Sequence, residues 1–428
     1  MASMFRALRN RNYRLFFFGQ GLSLIGTWMQ RVALGWLVYR MTDSALLLGV
    51  IAFVAQLPVS LLSPVAGAFA DRLDRRKLLI WTQVLEALQA TVLAALTLSG
   101  LIEVWHIVVL SLFLGSLFAF ESPTRQAFVI EMTGPEDLMN GIALNSSAFN
   151  VARLVGPALA GFIVAASGEG IIFVCNAVSY VAVMFGLLAM RMPERTAKKD
   201  RESVITRIRE GVNYAFGAGP IRFLLLMLAL ITLAGTWHAV LMPIFARDIL
   251  KGGAETLGLL MAANGAGALT GAIMLAKRKN TLGLAKILTI ATAVFAASLI
   301  GLSLSTNLYL SIAMMFIIGI SYMHEVAGTN TLVQTLVPDE MRGRVMSLFI
   351  LSFLGIMPFG NLIAGWLASI IGAAHTVTIS GAAVAVACIL FVTKMSRLSH
   401  EIRCVQMSRG FIEEGAEDIP DPKECHLG

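Results

Sequence analysis

From residue 13 to about residue 394 the sequence is a succession of apolar stretches separated by short polar breaks, each stretch near the length a bilayer demands. Crossing ~30 Å of hydrocarbon takes about 20 mostly apolar residues in a helix. Inside that hydrocarbon every backbone N–H and C=O must be paired within the protein, so stretches of this length have to be helices. The spans read as 13–39, 45–70, 76–99, 105–130, 138–166, 170–191, 221–245, 254–276, 282–303, 306–334, 340–370 and 373–394. Hydrophobic residues make up 57% of the chain and charged residues 14%, a balance that excludes a soluble globular domain of this length. The expected fold is an all-α membrane protein of twelve helices.

Basic residues would suggest nucleic-acid binding only if they formed a patch, and here they gather in the breaks. Of 33 Lys and Arg, two fall inside spans (Arg31, Arg153) and three in breaks on one side (Arg40, Arg247, Lys251). The rest lie on the other side, Arg125 counted among them, so positive-inside bias predicts a multi-pass protein with both termini cytoplasmic. Arg6, Arg9, Arg11 and Arg14 before an apolar run imitate a signal peptide, but no cleavage pattern follows and the run continues, so it reads as a retained first span. Cys175, Cys388, Cys404 and Cys425 have neither disulfide nor metal spacing, and no metal site is expected.

The chain divides into a cytoplasmic N-terminus (1–12), six spans (13–191), a cytoplasmic linker (192–220), six more spans (221–394) and a tail (395–428) expected to be cytoplasmic and partly disordered. The linker holds an amphipathic stretch, Val204 to Phe216. The halves echo one another: Glu121-Ser-Pro-Thr-Arg-Gln-Ala-Phe-Val aligns with Glu325-Val-Ala-Gly-Thr-Asn-Thr-Leu-Val at an offset of 204. The same offset carries Gly67-Ala68 onto Gly271-Ala272, and nearly carries Pro135-Glu136-Asp137 onto Pro338-Asp339-Glu340. Two parallel six-helix repeats around a long linker are the organisation of many secondary transporters.

The break after span 2 reads Gly67-Ala-Phe-Ala-Asp71-Arg72-Leu-Asp-Arg75-Arg76-Lys77 and resembles the Gly-x-x-x-Asp-Arg-x-x-Arg-Arg signature of the major facilitator superfamily. The resemblance implies two pseudo-symmetric six-helix bundles with Gly67, Asp71, Arg72, Arg75 and Arg76 forming a conformational latch, Asp71 meeting Arg75 and the N-terminus of span 11. The second-half counterpart has Leu275 where the aspartate would stand. In span 5, Arg153-Leu-Val-Gly156-Pro157-Ala-Leu-Ala160-Gly161 is similar to the Gly-Pro-x-x-Gly-Gly kink of exporters in that superfamily, with Ala160 replacing a glycine. Proline removes a helical hydrogen bond and the small residues permit close packing, in the family against span 8. Further runs, Gly26 to Arg31 and Glu121 to Gln126, resemble the branch containing enterobactin-type siderophore exporters and macrolide efflux proteins.

An ionisable side chain inside a span costs about 2.5–3.5 kcal/mol on an insertion scale, so each requires a reason. Gln20, Ser23, Thr27, Gln30 and Arg31 form one polar stripe on span 1, and Thr82, Gln83, Glu86 and Gln89 form another on span 3. Glu121 and Arg125 stand four apart on span 4, positioned to pair. Proton coupling needs a carboxylate whose proton affinity changes with state, and the candidates are Glu121 and its repeat mate Glu325, with Glu86 ranked below them and Arg31 and Arg125 as counter-ions. A static Glu121–Arg125 pair would instead serve packing alone. The family places spans 1, 4, 7 and 10 around a central cavity, which makes Gln20, Thr27, Trp28, Gln30, Trp237, His238, Tyr322 and His324 candidate substrate contacts; each is also ordinary filling of a bundle.

With no nucleophile triad, metal spacing, phosphate loop or sizeable soluble domain, neither an enzyme nor an ATP-driven pump is expected. The expected protein is a monomeric secondary transporter in a bacterial inner membrane. It needs no cofactor, draws on the proton gradient, and exports a small amphipathic molecule such as a siderophore or drug as an antiporter. Its partners are then cargo, protons and lipid, with no nucleic acid. A lipid or lysophospholipid cargo is the alternative.

Overall fold

The computed structural model describes residues 5–191, 204–278, 281 and 283–408, and the side chains of all of these except 63–65, 67–72, 204–208 and 394–408. The described elements are helical throughout. The first half contains α1 (Arg11–Thr42), α2 (Ala45–Arg72), α3 (Arg75–Leu98), α4 (Val104–Thr133), α5 (Leu138–Ser167) and α6 (Glu169–Ala189). The linker helix α7 (Val204–Gly217) follows the amphipathic stretch expected there. The second half contains α8 (Gly219–Gly235), α9 (Trp237–Ile244), α10 (Ala254–Ala276), α11 (Leu284–Leu304), α12 (Leu308–Leu336), α13 (Asp339–Ile350), α14 (Met357–Ile371) and α15 (Ala373–Ser408).

Among the described residues, eleven helical stretches are long and apolar enough to cross a membrane. The twelfth spanning unit is α1, 32 residues long but loaded with Arg11, Arg14, Arg31 and Arg40. Two spans are broken. Span 7 runs through α8, α9 and a π-helical turn at Phe245–Ile249, while span 11 runs through α13, a π-helical turn at Leu351–Gly355 and α14. Prolines lie beside both π-helical turns: Pro243 just before the first and Pro358 at the start of α14, each lacking the N–H that would continue the ladder. Pro358 leaves the carbonyl four residues earlier, Leu354, without its helical donor, and the Ser60 hydroxyl of α2 donates to that oxygen at 3.3 Å. The defect in one half thus becomes a hydrogen bond to the other. Past residue 394 the last helix continues to Ser408, where the sequence reading placed a partly disordered tail.

The two halves repeat one packing scheme. In the first, α2 packs on α4, α3 on α4 and α6, and α1 on α6; in the second, α10 packs on α12, α11 on α12 and α15, and α8 on α15. The halves meet along α5 with α10 and along α2 with α14. We refer to the end of the bundle carrying the start of α1 and the linker as the near face, and to the opposite end as the far face. The linker helix is fastened to the near face by a 2.7 Å ion pair between Glu210 and Arg344 of α13.

At the far face the halves are in close contact. A Cβ on Gly161 would lie 2.9 Å from the Gly258 Cα, and one on Gly365 would lie 2.7 Å from the Gly49 Cα. These small residues let helix backbones touch. Around them, Tyr39 donates a hydrogen bond to Asp248, Arg247 pairs with Asp43, and the Arg247 guanidinium lies 5.5 Å from the centre of the Tyr39 ring. Each of these contacts joins α1 or its cap to the end of span 7.

Candidate functional site

The site is best built from span 1, because its polar stripe splits between two environments. Gln20 and Gln30 are buried, 5% and 2% exposed, and Gln30 bonds within the first bundle. Gln30 accepts from Asn176 Nδ2 of α6 at 2.8 Å and donates to Gln89 Oε1 of α3 at 3.3 Å. Asn176 also reaches the Tyr180 hydroxyl at 3.4 Å, and that hydroxyl lies 3.4 Å from Thr27 Oγ1. The packing requires a glycine at 26, since a Cβ there would lie 2.5 Å from Asn176 Oδ1. A connected amide and hydroxyl network satisfies these groups where hydrocarbon could not. Asn176 and Tyr180 escaped the sequence reading, which assigned no polar role to span 6.

Next to this network stands a charged trio. Glu121 and Arg125 of α4 are paired at 3.3 Å and are 3% and 7% exposed. Glu86 of α3, 3% exposed, accepts from Gln83 Nε2 at 2.9 Å and lies within electrostatic reach of both Glu121 and Arg125. Two carboxylates are therefore served by one guanidinium, paired with Glu121, whose Nε makes no hydrogen bond among the described residues. The residue ranked lowest from its position on span 3 turns out to be the third member of the group. The charges of both Glu86 and Glu121 reach Tyr180, which joins the trio to the polar network.

Glu325, the repeat mate of Glu121, also turns into its own bundle. It is 2% exposed and accepts a hydrogen bond from the Thr292 hydroxyl of α11. Each carboxylate of the repeat thus faces the third helix of its half, and Arg31 opposes neither.

Arg31 instead faces the space between the halves. It is exposed although it lies well inside α1, with its guanidinium 4.9 Å from the Trp28 ring centre and 5.9 Å from that of Phe118. Arg153 of α5 approaches Trp28 from the other side at 6.0 Å and donates to Asn264 Oδ1 of α10 at 2.8 Å. Trp28 is braced edge-on by Phe149. From the second half, Tyr322 of α12 comes within electrostatic reach of Arg153, packed between Phe295 and Phe353. Its buried hydroxyl faces Thr232 without forming a well-oriented hydrogen bond. His238 is buried nearby, with Nδ1 3.0 Å from the Gly235 carbonyl.

Other candidates are taken up by packing. Trp237 donates to Leu233 O in the preceding turn and packs with Ala234 and Ala364. His324 bonds Ile320 O and lies against Gly271 at the junction of α10 and α12. In the kink motif, Gly161 does pack against span 8, but Gly156 serves span 1: a Cβ there would lie 2.6 Å from the Trp28 Cβ. Pro157 deprives the Arg153 carbonyl of its helical donor, and that oxygen lies against Gly265 of α10.

Of the loop signature, Gly67, Asp71 and Arg72 belong to α2, but their side chains lie outside the described residues. Arg75 pairs with Glu131 at 2.8 Å and donates to Ala127 O, while Arg76 donates to the carbonyls of Leu187 and Leu188. Both cations thereby meet the C-terminal ends of α4 and α6, where the helix dipole favours positive charge.

Comparison with known proteins places this geometry in context. A family profile described as transmembrane secretion effector matches residues 2–411. The "Staphyloferrin A transporter" of Staphylococcus aureus (strain NCTC 8325 / PS 47) is 25% identical over 369 residues, covering 86% of this chain and 92% of that one. "Macrolide efflux protein A" of Streptococcus pyogenes is 24% identical over 382 residues, covering 86% and 93%. Among solved structures, a bacterial homologue of the iron transporter ferroportin in an inward-facing state superposes with a TM-score of 0.67 at 20% identity, covering 91% of this chain and 98% of that one. At that identity the last likeness speaks to the fold alone.

Proposed function

The chain belongs to the transmembrane secretion effector family of major facilitator transporters, and from that premise we propose that it is a proton-driven antiporter exporting a small amphipathic molecule by alternating access. The observation that carries the proton half is the trio of Glu86, Glu121 and Arg125. Two buried carboxylates and one guanidinium leave an uncompensated negative charge in a low-dielectric site, and one proton balances it. Tyr180 lies within reach of this trio and of Arg31, so protonation inside the first bundle changes the field at the central space. The exchange requires such coupling, since cargo and proton must alternate.

The direction of transport rests on topology and kinship. Positive-inside bias assigns the near face to the cytoplasm of a bacterial inner membrane. The far face, closed by Gly49, Gly161, Gly258 and Gly365, is then the outer gate, and this conformation is the one that loads from the cytoplasm. The relative named for staphyloferrin A supports a small-molecule cargo, and the one named for macrolide efflux supports outward movement. A lipid cargo draws no support from those names.

The test is uptake into everted membrane vesicles, whose interior respiration acidifies. Erythromycin, ethidium and staphyloferrin A are offered in turn. Accumulation of at least one, above vesicles lacking the protein and abolished by nigericin, is expected. Failure to accumulate any, or accumulation that survives collapse of the gradient, would overturn the antiport reading.

A further inference from the structure

Arg31 and Arg153 are the two basic residues that the sequence places within spans away from the ends; both stand against Trp28, and Arg153, within electrostatic reach of Arg31, bonds Asn264 of the second half. Each carries the insertion cost of an intramembrane cation, which structures ordinarily offset with a carboxylate. Among the described residues neither arginine takes part in an ion pair. The titratable groups near enough to interact with them are the neutral phenol of Tyr180 for Arg31, and Tyr322 together with Arg31 for Arg153, with no carboxylate among these. The nearby acids are engaged elsewhere: Glu121 pairs with Arg125, Glu86 accepts from Gln83, and Glu325 accepts from Thr292. Two cations therefore stand near enough to repel one another, supported mainly by the face of Trp28 and by Asn264.

We propose that the transported molecule is an organic anion carrying carboxylates or equivalent acidic oxygens, received by Arg31 from the first half and by Arg153 beside the interface with the second. This rests on the export reading for calling the ligand a cargo, but the binding site stands on its own geometry. Guanidinium groups match acidic oxygens in charge and in their forked donor geometry. Three further features fit such a ligand. Trp28, Phe118 and Phe149 offer ring faces and edges for its apolar part. The Tyr322 hydroxyl, on the opposite half, is buried beside Thr232 with no well-oriented hydrogen bond among the described residues, and can donate to an anion held by Arg153. Asn264 holds the Arg153 guanidinium across the interface, so an anion there touches groups from both halves. Such a site binds differently when the halves separate, which is how a cargo biases alternating access. It also disfavours amphipathic cations, since these would meet two like charges.

The experiment compares two related xanthene dyes, 5-carboxyfluorescein as the anion and rhodamine 6G as the cation, by fluorescence anisotropy at pH 7.5. The full chain is held in zwitterionic nanodiscs, and empty nanodiscs give the background. The anionic dye is expected to bind at least ~10-fold tighter, and millimolar citrate is expected to displace it. Arg31→Gln and Arg153→Gln should each weaken that binding about 10-fold without weakening the cation. The Lys replacements, which keep the charge if the fold needs it, should retain part of it. Equal or tighter binding of rhodamine 6G, binding of neither dye, or anion binding unchanged in both Gln variants would overturn the proposal. The everted-vesicle assay separates the two ideas. Anion binding without gradient-driven uptake defeats the export reading alone; gradient-driven uptake of a cation that binds without these arginines defeats the anion site alone.

Discussion

At the residue scale the decisive fact is where the charges point. Glu121 and Arg125 were legible as a pair from their spacing of four, but Glu86 joins them only when α3 packs on α4. If the trio carries the coupled proton, Glu121→Gln and Glu86→Gln should each reduce gradient-driven transport by about 10-fold or more while leaving downhill exchange of cargo measurable. Glu325→Gln has no counter-ion to disturb and keeps a group that can bond Thr292, so coupled transport should survive it. Full coupled transport by both Glu86 and Glu121 variants would remove the trio from the mechanism. The amide network should behave differently, because it holds structure. Asn176→Ala leaves Gln30 and Tyr180 short of a buried partner and should destabilise the protein by about 1–3 kcal/mol, read as a lower unfolding temperature with coupling intact. The span 1 stripe was visible in the sequence as a stripe; which part faced the bundle and which the central space was not. A helical wheel gives angles within one helix, and only the neighbours decide what each angle meets.

At the scale of elements the sequence was most informative, since apolar length and charged breaks nearly dictate helices in a bilayer. All twelve spanning units were placed this way. What remained hidden were the π-helical turns at Phe245–Ile249 and Leu351–Gly355 and the contact of Leu354 with Ser60, because a proline announces a break without saying what will occupy the freed carbonyl. The polar contacts at the far face were equally invisible. Arg247 read only as one basic residue of a break, and nothing in the sequence linked it to the distant Asp43. Exposed pairs of this kind contribute at most about 1 kcal/mol, which suits contacts that must break in every cycle. Arg247→Gln with Asp43→Asn should therefore leave thermal stability nearly unchanged but populate a far-open state. Spin labels at Met41→Cys and Lys251→Cys, in a chain whose four cysteines are replaced by serine, should show a longer distance component in that variant. Gly161→Leu acts more harshly, because the added side chain must occupy space held by the Gly258 backbone. It should hold the far face apart in the same measurement and abolish transport, and an unchanged distance distribution would show that this face is not the gate.

At the scale of the whole molecule, the repeat offset of 204 finds its physical expression in the matched packing of α2 on α4 and α10 on α12, and in the two carboxylates that each turn into their own bundle. The duplication is not preserved in chemistry. The first half holds three charged groups at its carboxylate and the second half a carboxylate and a hydroxyl, which is why the proposed proton site is the one in the first bundle. The interface between them holds the cationic space at Trp28, and Tyr180 stands between trio and arginine. The central claim is that cargo and proton cross in opposite directions through this one device. Its most direct test uses proteoliposomes with pyranine in the lumen and an inward gradient of whichever molecule everted vesicles accumulate. The account expects the lumen to become alkaline as cargo enters through wild-type protein and to stay unchanged with Glu121→Gln; entry of cargo through the wild type with no change in lumenal pH would contradict it.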